Sequence, residues 1–183
     1  MKLTSQEKEL LFSIARTSIL NKLVKKEKNF NIPNEYDQLF VKGGAFVTIK
    51  LHNRLRGCIG YIQSDSEIYK TVEEAAYQAA FNDPRFPPLT LDEFKDIELE
   101  ISLLSEQFPL NDYSEIIVGK HGLILEALGR RALLLPQVPI EHNMNKEQFL
   151  SALCAKAGLD SNYWREEKLS LKAFTALVLN EKE

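Results

Sequence analysis

The run Leu55-Arg56-Gly57-Cys58-Ile59-Gly60 sets a guanidinium and a thiol two positions apart in a segment of β-forming residues. Alternate residues of a strand point to one face with Cα atoms about 6.6 Å apart, so Arg56 and Cys58 are expected side by side. Gly57 and Gly60 leave the backbone there open to close approach. An unperturbed thiol, with a pKa near 8.5, is only a few per cent thiolate at neutral pH, so a nucleophilic role needs help. A cation about 6.6 Å away supplies ~2.5 kcal/mol at an effective dielectric of ~20 but about 0.6 in bulk water. Burial therefore decides whether Arg56 activates Cys58. The competing reading makes Cys58 a small buried hydrophobe and Arg56 a surface charge. Cys154 is the contrast: Phe149, Leu150, Leu153, Cys154 and Ala157 share one helical face, which points to core packing.

Three further clusters carry chemistry. His121, in Gly119-Lys120-His121-Gly122-Leu123, stands at the mouth of a predicted strand, where a general base would face a pocket. The bland alternative is a solvated histidine. Asp83, Arg85 and Phe86 lie in the proline-stiffened loop Asn82-Asp83-Pro84-Arg85-Phe86-Pro87-Pro88, and rigid loops often position binding groups. Against this stands a plain Asp-Pro turn with Arg85 in water. Lys22, Lys25, Lys26 and Lys28 could hold a phosphate, although lysines at this position chiefly complement the negative end of a helix dipole. His52 and His142 form no pair with ligand spacing, so no structural metal site is expected. The absence of a Gly-x-Ser-x-Gly elbow, a Walker loop and a Gly-x-Gly-x-x-Gly turn removes support for serine hydrolases and common nucleotide folds.

The elements that position these residues follow from periodicity. Thr4-Ser5-Gln6-Glu7 has capping-box spacing, and Leu10, Leu11, Ile14, Ala15, Ser18, Ile19 and Leu23 recur on one helical face, predicting a long first helix. Residues 45–51 and 55–62 read as a hairpin across His52-Asn53-Arg54. Ser64 to Glu67 is expected to cap a second helix running to about Phe81, which the proline loop ends. Ile97, Leu99, Ile101 and Leu103 alternate with polar residues as a half-buried strand. Strands over 122–128 and 131–135, a helix over 146–157 and a last strand over 170–179 repeat the order ββαβ. Two such units imply a duplicated, mainly antiparallel α+β fold flanked by helices, with an N-terminal helix. Cys58 and His121 fall one in each half.

The chain has 183 residues, 44% hydrophobic and 27% charged, and a formal net charge of −3. It reads as one globular domain over 1–183. The negative balance makes nucleic acid an improbable partner without a local basic patch. The start carries acids and bases rather than a secretory apolar segment, and no run approaches the roughly 18 apolar residues of a membrane span. A cytoplasmic setting, with both cysteines reduced, is expected.

The six residues from Leu55 to Gly60 resemble the signature of the AMMECR family, also known as AmmeMemoRadiSam system protein A. In order along the chain, the resemblance extends to Gly44-Ala45-Phe46-Val47-Thr48, Asn82 to Phe86, Glu100 to Leu104, Gly119 to Leu123, Leu134-Leu135-Pro136-Gln137-Val138, Lys156 to Leu159 and Trp164. One departure is the link His52-Asn53-Arg54, where members often carry a glycine. The resemblance implies a duplicated antiparallel sheet. It also implies association with a Memo-type protein and a radical SAM protein, while the cofactor and reaction stay open. The site expected on these grounds has Cys58 as nucleophile, His121 as base, and Arg56, Asp83, Arg85 and Gln137 as binding groups for a small anionic or carbonyl metabolite. The alternative is a non-catalytic module that binds a metabolite or a protein.

Overall fold

The computed structural model describes residues 2–26 and 30–182; Lys28 of the lysine-rich turn lies outside the described residues. Two compact units emerge, one of Met1–Leu104 with Leu177–Glu183 and the other of Ser105–Ala176.

In the first unit, helix α1 (Ser5–Val24) opens with the expected capping box: the Thr4 hydroxyl accepts from the Glu7 N–H and the Glu7 carboxylate accepts from the Thr4 N–H. Its apolar face buries Leu11, Ile14, Ala15 and Ile19 completely. Each large side chain among them contributes about 1.5–3 kcal/mol of transfer free energy. Strand β1 (Ala45–Leu51) pairs antiparallel with β2 (Arg54–Tyr61) on one side and β3 (Ile97–Leu104) on the other. The hairpin link shrinks to His52 and Asn53, both at positive φ (50° and 62°). That is the backbone a two-residue hairpin demands, and Asn tolerates it without glycine.

Helix α2 (Ile68–Phe81) covers this sheet with Val72, Ala75, Ala76 and Ala79. The cap expected from Ser64 does not form. Glu67 is the N-cap and gives no side-chain cap, because the Ile68 N–H is already bound to the Val41 carbonyl and starts the helix three residues later. The alanine face lets α2 come so near β2 that a Cβ on Gly57 would lie 2.1 Å from the Ala79 carbonyl oxygen.

The second unit contains β4 (Phe108–Leu110), β5 (His121–Ala127), β6 (Arg130–Leu134), α3 (Gln137–Glu141), α4 (Lys146–Lys156) and α5 (Tyr163–Glu166). Strand β7 (Leu171–Asn180) begins there, pairing antiparallel with β4 and β5, while β6 pairs with β5. From Leu177 the strand belongs to the first unit, where the Glu181 N–H donates to the Leu99 carbonyl. Phe149, Leu153 and Cys154 of α4 pack on Leu123, Leu125 and Ala173. The order ββαβ thus occurs twice in an antiparallel α+β fold, as β1-β2-α2-β3 and as β5-β6-α4-β7, the second with β4, α3 and α5 added. No helix among the described residues is long and apolar enough to cross a membrane.

Candidate functional site

One irregularity in the hairpin decides where Cys58 faces. Leu51 lies opposite Arg54 and Lys50 opposite Leu55, but Ile49 lies opposite Gly57 and Thr48 opposite Cys58, so Arg56 is an extra residue in β2. Unbroken pairing from the turn would have set Arg56 against Ile49 and Cys58 against Val47, both fully buried in the core. The bulge instead turns Gly57, Ile59 and Tyr61 toward the core and Cys58 to the opposite face, beside Thr48. The alternation that placed Arg56 and Cys58 on one face is therefore interrupted.

Arg56, 9% exposed, sends its guanidinium to Glu93. Nε donates to Oε1 at 2.7 Å and Nη2 to Oε2 at 3.0 Å, and the ring of Phe86 lies 5.9 Å below. This fork-to-fork pair lowers the Glu93 carboxyl from its ordinary 4.5 to about 2. Sequence reading misses Glu93 because its pairing with Arg56 spans 37 residues; its local signal is the capping-box spacing of Thr90 to Glu93, realised as Thr90 N–H donating to Oε2 and Glu93 N–H donating to Thr90 Oγ1.

The cation beside Cys58 is Arg85. The Cys58 N–H donates to Asp83 Oδ2 at 2.9 Å, and the Cys58 carbonyl accepts from Arg85 Nη2 at 3.2 Å. Both backbone groups of this residue, on the outer strand of its sheet, are thereby satisfied by the proline loop. Asp83 is buried and grips the guanidinium at 2.9 and 2.7 Å. Arg85 holds the Asp83 carboxyl well below the usual carboxylate range, and the Cys58 N–H adds to this. The Arg85 pKa is raised, first by Asp83 and then by interaction with the Cys58 side chain. Thr48 Oγ1 donates to Sγ at 3.3 Å. A half-buried thiol thus has a hydroxyl and a guanidinium against it. Thr48 escaped sequence reasoning because only the bulged register brings it opposite Cys58. Arg85 keeps 53% of its side chain exposed, so part of the guanidinium still faces solvent.

The remaining candidates lie in the second unit. His121 is buried rather than solvated. Its Nδ1 accepts from the Ile117 N–H at 3.3 Å, and its ring meets Phe108 edge-on at 5.4 Å. Burial lowers its pKa, Lys120 lowers it further, and a hydrogen bond with the Glu115 backbone opposes the shift. The imidazole is therefore predominantly neutral at pH 7. Gln137 opens α3 and is half-buried. Cys154 is sealed at 0% exposure, and burial raises its pKa. Among the described residues, no group of three or more His, Cys, Asp or Glu is placed to hold a metal ion.

Fold and site together define an α+β protein with two ββαβ units and a half-buried cysteine on an outer strand. The AMMECR1 family model matches residues 12–179, and the chain belongs to that family. It is 40% identical to a protein of Sulfolobus acidocaldarius, covering 93% of this chain and 80% of that one. It is 38% identical to protein MK0488 of Methanopyrus kandleri, covering 100% and 92%. The crystal structure of the uncharacterized protein PH0010 from Pyrococcus horikoshii superposes with a TM-score of 0.87 at 34% identity, covering 100% of this chain and 95% of the other.

Proposed function

We propose that the chain is a cysteine-dependent enzyme for a small anionic or carbonyl metabolite, with Cys58 as nucleophile and Arg85 as the group that receives the anion. The observation that carries this reading is the pairing of a half-buried thiol with Arg85 and the Thr48 hydroxyl. A hydroxyl donor and a cation are the kinds of group that assist a sulfur nucleophile. The exposed part of Arg85 is free of the strain of reorganising, because Asp83 already fixes it. Arg56 serves this site by anchoring the bulge to Glu93. The reading includes a cytoplasmic setting, where the thiols stay reduced, and association with Memo-type and radical SAM proteins, which co-purification tests.

The test is the pH profile of iodoacetamide alkylation at Cys58, with Cys154 as the internal unreactive control. Arg85→Gln is expected to slow the reaction at pH 7 about tenfold. A wild-type profile matching a free thiol, unchanged in Arg85→Gln, defeats the proposal.

A second reading is favoured by one observation: Asp83 neutralises Arg85 while both clamp the Cys58 backbone. On that reading the loop and strand form a rigid binding surface for a metabolite or protein and the sulfur does no chemistry. Cys58→Ser then retains full biological function.

A further inference from the structure

The end of α1 and the middle of α2 enclose a second feature in the first unit, unrelated to Cys58. A groove of about 500 Å³ is lined by Lys22, Lys25 and Lys26 with Ser18, Asn21, Glu73 and Tyr77. That volume lies within the range of small-molecule sites. Its walls are fixed by the helices. Ser18 Oγ donates to the Glu73 carbonyl at 2.8 Å, tying α1 to α2. Lys25 takes the left-handed C-cap position at φ 53°, its N–H bound to the Asn21 carbonyl, and so turns the chain at the groove's rim.

Helix-dipole complementation explains a lysine in the last turn of α1, but it does not explain why an aromatic ring and a carboxylate from α2 line the same hollow. Lys22 Nζ lies 6.0 Å from the centre of the Tyr77 ring, which packs in turn on Phe81 at 5.3 Å. Lysines such as Lys22 and Lys25, with no arginine among the lining residues, suit a compact multiply charged anion better than a planar carboxylate. Tyr77 offers an apolar wall for a flat ring. Glu73 would repel a ligand anionic throughout, so the end of the ligand nearest it has to donate a hydrogen bond. Burial and neighbouring Glu74 raise the Glu73 pKa, and Lys70 opposes them.

We propose that this groove binds a phosphorylated aromatic metabolite of nucleoside monophosphate size, with the phosphate on the lysines, the ring along Tyr77 and an amino group toward Glu73. Formal net charge hides such a site, because the −3 of the whole chain says nothing of a local cluster.

The test titrates the full chain with adenosine monophosphate, adenosine and inorganic phosphate by calorimetry. The expected result is binding of adenosine monophosphate with a Kd below about 1 mM, and of each fragment about tenfold more weakly or less. Lys22→Gln with Lys25→Gln, both exposed and thus harmless to folding, should weaken the nucleotide about tenfold and leave adenosine unchanged. Tyr77→Leu should weaken nucleotide and adenosine alike. The proposal is overturned by no binding at about 1 mM, by phosphate binding as well as the nucleotide, or by a lysine double variant that behaves as wild type. It is also overturned if adenine oligonucleotides bind progressively tighter with length, the mark of a nucleic-acid surface. Cys58→Ser must leave the binding unchanged, so failure here and failure of the cysteine chemistry remain distinguishable.

Discussion

Each ββαβ unit ties the outer strand of its hairpin to the loop that follows its helix, and each uses an arginine, but in opposite senses. In the first unit the loop after α2 sends Asp83 and Arg85 to the backbone of Cys58 on β2. In the second, Arg130 on β6 sends its guanidinium to the Gly158 carbonyl in the loop after α4. The side chains come from the loop in one case and from the strand in the other. Only the first arrangement sets charged groups around a strand cysteine. The second unit's cysteine lies inside α4, at 0% exposure, where burial raises its pKa. The two cysteines hold different places in their units: Cys58 stands on an outer strand with ionic neighbours, whereas Cys154 is a packing residue of a helix.

That comparison is broken most directly at Asp83. Asp83→Ala leaves the Cys58 N–H unsatisfied and Arg85 without its partner, with an expected loss of about 3 kcal/mol. An unchanged urea midpoint would show that the edge needs no such clasp. Glu93→Gln should cost about 2 kcal/mol at neutral pH by releasing Arg56 from the bulge. The sign is that of a depressed carboxyl: stability is fully present above its ordinary 4.5 and is lost as pH falls toward about 2. The variant should therefore show a flatter acid limb than wild type, as followed by circular dichroism.

In the second unit, His121 has a lowered pKa, so the unfolded chain takes up the proton more readily and stability declines as pH drops below its ordinary 6.5. His121→Asn should flatten that slope between pH 7 and 5. A slope that persists in the variant would assign it to another group. The smallest effect is expected at Arg130→Ala, about 0.5 kcal/mol, since this contact is exposed. A loss as large as that of Asp83→Ala would erase the distinction between the two clasps.

Much of this was legible from residues alone. Alternation in β3, the 3.6-residue face of α1 and the Thr4 to Glu7 box each specify a local conformation, and local specification survives folding. The Ser64 cap failed for a tertiary reason, the hydrogen bond from Ile68 to Val41. Asp83 and Arg85 were recognisable as a cluster because they are close in sequence, whereas Glu93 and Thr48 were not, their partners lying 37 and 10 residues away.

The sequence by itself determined the α+β order, the hairpin carrying Cys58 and the burial of Cys154, because each depends on periodicity within one segment. The face on which Cys58 stands, and the identity of its cation, were decided by tertiary structure. A period of two makes every side chain of a strand hostage to a single inserted residue, and pairing with β1 placed that residue at Arg56.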